Sequence, residues 1–356
     1  MISSYLLKEL TFIYYKFRHV IIYTIIGFFS IICELIIRNL FISISLSEVP
    51  STIMSIVIGV LIAFFLNIKF NFFIKKNLLT KALIYYFLIS LFSISIQFFI
   101  NNFTNFRFNI FFNYEIERLI ISGIVFIFAY LLHRKFSFKN SAKLGVAIYA
   151  SKDEDVHNIF QKIGVYPDFI HVDIVDESFV KEAKPINYEK YNLIKYYWKN
   201  KEIHTHLMSK NPIKLIKSVS KFSDIIFIHK EIDENLEEVL KLFENLDCKP
   251  GIVLHAINRY ENELEEITSK FNNIMILSIP KAGYSGQRFV ESSFDLINKI
   301  NEIQKRKKIN LFVDGGINKE NIKNMNVENI ISGSDVLNNK DPREQIMRLK
   351  TFGRYI

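Results

Sequence analysis

His171 and Asp173 stand two residues apart in the β-rich run DFIHVDI. In an extended strand both side chains leave one face, opposite Ile170, Val172 and Ile174. A second imidazole, His206, ends the run EIHTHL, and a second carboxylate, Asp314, ends INLFVD directly before Gly315 and Gly316. Two imidazoles and two carboxylates brought to one point make an N2O2 donor set for one divalent metal ion, with Zn²⁺, Fe²⁺ and Mn²⁺ all compatible. Gly315-Gly316, and Gly333-Ser334 closing NIISGS, are small enough for backbone N–H groups to approach an anion. Singly, each feature is weak, because strand histidines are more often structural and a Gly pair is usually a turn. Their weight depends on the elements that carry them.

From Lys143 onward, eight short β-rich runs (LGVAIYA, DFIHVDI, EIHTHL, DIIFIH, GIVLH, IMILSI, INLFVD and NIISGS) alternate with amphipathic segments such as VLKLFENL and FDLINKINEIQK. Apolar residues recur three and four apart in the latter, as in helices packed on a sheet. This count predicts an α/β TIM (β/α)8 barrel over 143–356, with a doubly wound open sheet as the alternative. In such barrels the chemistry sits at the C-terminal strand ends, with phosphate held after strands seven and eight. His171, Asp173, His206, Asp314 and the paired small residues all fall at those places.

Residues 1–142 differ in kind. The chain is 50% hydrophobic with 34 Phe in 356 residues, too apolar for two ordinary soluble domains. Four apolar stretches, 19–42, 50–68, 80–100 and 117–133, approach the roughly 20 residues a helix needs to cross a bilayer. An α-helical transmembrane bundle of about four spans is therefore expected ahead of the barrel. The first stretch is too long for a secretory signal, lacks a small-residue cleavage site and precedes three more, so it is expected to be retained. Lys8, Lys16 and Arg18 precede span one, Lys69, Lys75, Lys76 and Lys81 lie between spans two and three, and Arg134, Lys135, Lys139 and Lys143 follow span four. Those sides read as cytoplasmic, and the loop SISLSEVP and the loop around Arg107 as external. The expectation is a multi-pass protein of the cell (inner) membrane, with both termini and the barrel cytoplasmic.

The net charge of +9 is spread over surface-like helices and the flanks of the apolar stretches, which speaks for membrane flanks and against nucleic acid. Cys33 and Cys248 fall in different halves without ligand-like spacing, excluding a disulfide framework and a cysteine-based zinc site. Within span one, Glu34 and Arg38 are one helical turn apart, an intramembrane polar pair if they share a face. Two readings stay open: a site for a phosphate or sugar headgroup, or an Arg38 that snorkels to the outer interface with Glu34 as counter-ion. LNIKFNF (Leu66–Phe72) and LHRKFSF (Leu132–Phe138) each close an even-numbered span. They read as an internal repeat, or as two instances of the aromatic and basic cluster that any inner boundary selects.

The segments HVDIVDESFV (His171–Val180), THLMSKNP (Thr205–Pro212), AGYSGQRF (Ala282–Phe289) and VDGGIN (Val313–Asn318), with His229 and Glu231 in IHKE, resemble the ordered signatures of the ribulose-phosphate 3-epimerase family across essentially all of 143–356. That resemblance implies a metal held by His171, Asp173, His206 and Asp314, with Asp173 and Asp314 as the acid and base that remove and return the C3 proton of a phosphorylated ketose. It also implies that the backbone around Gly283, Ser285, Gly286, Gly315, Gly316, Gly333 and Ser334 holds the terminal phosphate. The chain departs from the pattern where Ile148 stands near an expected serine, Glu177 replaces a glycine, Ser278 replaces a methionine expected to cap the substrate, and Lys281-Ala282 replaces Asn-Pro. A surviving donor set beside altered substrate positions argues for related chemistry on a different sugar phosphate. Residues 20–140, with their four spans and closing motifs, are similar to the GtrA family of small membrane proteins, which is associated with cell-surface polysaccharide synthesis and proposed to move polyprenyl-phosphate-linked sugars. The expected partners are thus a phosphorylated ketose, membrane lipid and a polyprenyl-phosphate sugar, with homo-oligomerisation left open. Two further readings stand beside the membrane-tethered epimerase: a lipid-linked-sugar translocation protein whose barrel is a non-catalytic sugar-phosphate-binding module, and an unrelated phosphate-binding TIM domain.

Overall fold

The computed structural model describes residues 2–72, 79–103, 114–137, 141–150, 155–183, 185–260 and 263–353. Two compact units emerge, one of Lys16–Asn140 and one of Ser141–Ile356 together with Met1–Tyr15.

The first unit is helical. Helix α1 (Ile2–Ser43) is followed by α2 (Glu48–Leu66), α3 (Leu79–Phe103) and α4 (Tyr114–Leu132). Among the described residues three stretches, Leu10–Ser43, Glu48–Phe72 and Leu79–Ile96, are long and apolar enough to cross a membrane. The fourth expected span folds as α4 and lies outside those three, so the count near four rests on it. Lys75, Lys76, Arg107 and Lys139, used to orient the loops, lie outside the described residues. At about 1.5 Å per residue, α1 would be about 63 Å long. That is roughly twice the hydrocarbon thickness of a bilayer, so its first turns extend well beyond the apolar stretch.

α2 and α4 end in π-helical turns, Asn67–Phe72 and His133–Ser137, within the two echoing motifs. Arg18 donates to the carbonyls of Phe70 (2.6 Å) and Asn71 (3.2 Å), and His19 stacks on Phe72 at 5.2 Å. A basic flank here therefore satisfies carbonyls that a helix end leaves without partners. Tyr23, Phe64, Phe72, Tyr86 and Tyr130 form the bundle's small core. Phe28, Leu91, Phe92 and Phe128 point outward and are largely exposed, as an apolar solvent would allow.

The second unit is a closed, all-parallel barrel in which each strand pairs with its sequence neighbours and β8 closes on β1. The strands are β1 (Lys143–Tyr149), β2 (Phe169–Val175), β3 (Glu202–Met208), β4 (Ile225–His229), β5 (Lys249–His255), β6 (Asn273–Leu277), β7 (Asn310–Asp314) and β8 (Asn329–Ser332). Closure excludes the doubly wound alternative. Between them run α5 (Val156–Ile163), α6 (Tyr188–Tyr197), α7 (Ile213–Val219), α8 (Leu236–Phe243), α9 (Leu264–Lys270) and α10 (Ser292–Glu302), and α11 (Ser334–Leu337) and α12 (Pro342–Phe352) follow β8. Asp155, Asn187 and Asn235 accept backbone N–H bonds at the starts of α5, α6 and α8, the capping that fixes where those helices begin.

Alternation splits the apolar side chains into two cores. Ile170, Val172, Ile174, Ile226, Ile228 and their equivalents pack between the strands and the helices. Phe169, Phe227, Val253, Met275, Phe312 and Ile331 fill the barrel interior. Two strand glycines make room for the interior rings. A Cβ at Gly145 would fall 2.1 Å from the Phe169 ring, and one at Gly251 would fall 2.4 Å from the Phe227 ring. The aromatic floor leaves the upper interior to polar residues.

Candidate active site

His171, Asp173, His206 and Asp314 meet at the C-terminal mouth above that floor. Register explains it: Asp173 lies beside His206 across β2 and β3, and Asp314 beside Leu277 across β6 and β7. All four are buried. His206 Nδ1 lies 3.2 Å from Asp173 Oδ1 and 3.6 Å from Asp314 Oδ2, and His171 Nε2 lies 3.4 Å and 3.9 Å from the same two oxygens. One donor atom from each residue falls within 4.8 Å of the other three. Bonds of about 2.1 Å in a tetrahedral site put neighbouring donors about 3.4 Å apart, close to these separations. Neither ring nitrogen of His171 has a hydrogen-bond partner although the ring is fully buried. An orphaned buried imidazole aimed at two carboxylates is what a metal ligand looks like without its ion, so the donor set fits a divalent cation.

The charges are arranged to match. Burial raises the Asp173 carboxyl's pKa, but the imidazoles of His171 and His206 facing it outweigh that and hold the group well below the usual carboxylate range. Burial lowers the pKa of His206, yet Asp173 and Asp314 lift it to about 9. Behind His206, its Nε2 lies 2.9 Å from His229 Nε2, and His229 Nδ1 lies 3.4 Å from Glu231. Burial pushes His229 down to about 4, so it stays neutral at pH 7 despite Glu231. Asn258 (2.6 Å) and Tyr260 (3.3 Å) hold the same Glu231 carboxylate. With a cation at the site, one tautomer would serve the whole chain: Glu231 accepts from His229 Nδ1, His229 Nε2 accepts from His206 Nε2, and His206 Nδ1 would present its lone pair to the ion.

A cleft of about 760 Å³ opens above the cluster. Asp173, His206 and Asp314 line its floor, while Gly283, Ser285, Gly286, Gly315, Gly316, Gly333 and Ser334 line its far side together. His171 lies beneath. Gly283, Gly286, Gly315 and Gly316 adopt φ between 66° and 103°, and a Cβ on Gly316 would fall 2.5 Å from the Phe289 backbone nitrogen. Only glycine fits there. Gln287 ties the loop by donating to the carbonyls of Lys281 (2.6 Å) and Tyr284 (2.7 Å). No Lys or Arg lines this cleft among the described residues, whereas Arg288 lines the adjoining cleft on the other side of Gly286, Gly316 and Gly333.

Several expectations shift. Ile148 packs outward against the helices, and the cleft wall on β1 is Ala147 and Tyr149, so the missing polar contact is the methyl of Ala147. Ser278 also faces away from the cleft: its hydroxyl lies 2.7 Å from the Asp314 carbonyl and 2.6 Å from that of Gly315, bracing the C-terminal end of β7. Leu277 and Ile279 face the cleft from that segment instead. Glu34 and Arg38 are not brought together. Arg38 turns to Glu48 at the start of α2 and donates to Thr52 at 2.9 Å, a nearer pair of acceptors. Tyr149, Met208, Tyr284 and Asn338 line the cleft without having been singled out; Met208, within the motif THLMSKNP, and Tyr284, within AGYSGQRF, carried a sequence signal.

Residues 142–337 match the family model described as the ribulose-phosphate 3 epimerase family. Residues 22–138 match the model of the GtrA/DPMS transmembrane domain. Among curated proteins, the ribulose-phosphate 3-epimerase of Buchnera aphidicola subsp. Baizongia pistaciae is 32% identical over 170 residues, 46% of this chain and 73% of the relative. The ribulose-phosphate 3-epimerases of Helicobacter pylori (28% identical, 51% of this chain, 85% of the relative) and Aquifex aeolicus (28%, 52% and 84%) are similar over the same region.

Proposed function

The chain belongs to the ribulose-phosphate 3-epimerase family, and from that membership we propose that its barrel is a metal-dependent 3-epimerase of a phosphorylated ketose, tethered to the cytoplasmic face of the cell membrane by a multi-pass GtrA-type domain and serving cell-surface polysaccharide synthesis. At the coarser level it is a carbohydrate epimerase fused to a membrane domain. The division is set near residue 142. The observation that carries the reading is the four-donor cluster on the floor of a cleft whose far side is glycine backbone.

The phosphate would lie against the N–H groups around Gly286, Gly315, Gly316 and Gly333, with C2 and C3 over the cluster. Asp173, kept ionised by His171 and His206, accepts the C3 proton at a carboxylate oxygen, and the C–H electron pair moves into the C2–C3 bond. Asp314, which must enter this direction of the reaction as the carboxylic acid, reaches in from β7, beyond β1 and β8 in the ring, gives its proton to the opposite face of C3 and is left as the carboxylate. The configuration inverts, and the two roles exchange for the other epimer. A divalent ion held by the four residues would supply Lewis-acid stabilisation of the negative charge developing on the C2 oxygen. Met208, Leu277 and Ile279 give the cleft apolar walls that strengthen these charge interactions.

Incubating the full chain in detergent with a panel of ketose phosphates in deuterated water tests this. Solvent deuterium should appear at C3 of one substrate with inversion. A metal-loaded protein that exchanges none of them overturns the reading.

A further inference from the structure

The bundle contains a cleft of its own, about 690 Å³, to which α1, α2, α3, α4 and the π turns all contribute. On α1 the lining residues run from Tyr23 to Glu34 on one face, about 16 Å at 1.5 Å per residue. The two echoing motifs feed it from equivalent positions. Asn67 and His133 each follow the last leucine of an α-helix, each opens a π turn, and each lines the cleft. Each is also held by the residue four positions on, Asn67 Oδ1 by Asn71 at 3.1 Å and His133 Nδ1 by Ser137 at 3.1 Å. A shared boundary composition does not dictate matched hydrogen bonds or matched aim into one cavity. π turns of this kind recur at functional sites.

What the cleft can hold follows from which polar atoms remain uncommitted. Ser30 and Ser93 both line it, and both spend their hydroxyl protons on their own helices, donating to the carbonyls of Ile26 and Ile89 at 2.8 Å. They offer lone pairs only. Asn67 likewise donates to the Ala63 carbonyl at 2.9 Å. Glu34, the one acidic residue of the lining, has no hydrogen-bond or ion-pair partner among the described residues, because Arg38 is engaged by Glu48 and Thr52. No Lys or Arg lines the cleft among the described residues. An unpaired carboxylate with no cation beside it in the described lining repels a phosphate, which only accepts, and favours a cationic ligand that donates. A carboxylate inside a membrane is costly until a cation meets it. Ile31, Val60, Ile94 and Phe126 line the remainder and suit an alkyl chain.

We infer that this cleft binds a primary-ammonium headgroup on an apolar chain, with Glu34 as its counter-ion and Ser30 and Ser93 as acceptors. The inference goes beyond the barrel's proposed activity and does not depend on it.

The test uses the full chain in lipid nanodiscs, with binding of octylammonium, octyltrimethylammonium, octyl glucoside and octyl phosphate measured by equilibrium dialysis against empty nanodiscs. Octylammonium should saturate and bind tightest, octyltrimethylammonium more weakly because it carries the charge without donors, and octyl phosphate least. Glu34→Gln, nearly isosteric, should weaken octylammonium at least tenfold and leave octyl glucoside within twofold. Gly59→Leu is the second variant, since a Cβ there would already come 3.2 Å from the Glu34 Cβ and a larger side chain fills the cleft; it should abolish binding of all four. Octyl phosphate or octyl glucoside binding best, octylammonium binding indifferent to Glu34→Gln, or no saturable binding of any probe would each overturn the inference. None of these outcomes bears on deuterium exchange by the barrel.

Discussion

Glu231 is two imidazoles removed from the ion site, yet it fixes which nitrogen of His206 faces Asp173. Glu231→Gln should therefore weaken divalent-metal affinity about 10-fold to 100-fold while leaving the donor set intact, as read by chelator competition. His206→Ala removes a ligand outright, and purified protein should lose most of its bound metal by elemental analysis. Asp314→Asn should abolish net epimerisation yet leave Asp173 able to exchange the C3 proton of one epimer, with Asp173→Asn favouring the other; metal content measured beside activity separates ligand loss from proton-transfer loss. The metal-free protein has its own pH signature. His206 is raised from 6.5 to about 9, so its ion pairs contribute stability that is complete below pH 6.5 and lost as pH rises through about 9. The melting temperature of stripped protein should fall across that window, and that of loaded protein should not. The four donors were legible because histidine and aspartate at strand ends are few. Ile148 and Ser278 were placed on the wrong face because VAIYA, and IMIL ahead of Ser278, are apolar throughout, and a parallel strand buried on both sides gives no alternation from which to read its phase.

At the scale of elements, the eight strands stood out as β-branched runs between amphipathic segments, and closure of the ring followed from their number. The interior glycines were not readable, because a glycine in a strand announces close approach without naming the neighbour. Gly251→Val drives new methyls into the Phe227 ring and should destabilise the barrel by about 1–3 kcal/mol, with Phe227→Leu in the same chain recovering part of it. The protein's single tryptophan, Trp198, is buried in the barrel, so its fluorescence during urea unfolding reports this unit alone. The length of α1 was likewise hidden, since hydropathy marks where lipid begins but not where a helix stops. The π turns could not be read either, although the repeated heptapeptides marked their positions.

At the scale of the molecule, the proposed topology, drawn from the basic residues at the ends and between spans two and three, puts both termini on one side of the membrane and the Ser47 loop on the other. Tags at either terminus should be accessible only from the cytoplasm, and a tag at Ser47 only from outside; a shielded Ser47 with an accessible C-terminus would reverse the topology. The same charge has a second consequence. The chain carries a net +9, but none of its described cations lines the cleft over the donor cluster; Arg288 lines only the adjoining cleft behind Gly286, Gly316 and Gly333. On the proposed reading, a phosphate in the cleft over the cluster would be held by fixed backbone dipoles, whose reach is a few ångströms, well inside the Debye length of about 8–10 Å at ordinary ionic strength. Counter-ions cannot screen what they cannot enter. Raising sodium chloride from about 50 to 500 mM should thus change KM for the phosphoketose by less than about twofold, whereas a cation-clamped phosphate would lose affinity steeply over the same range.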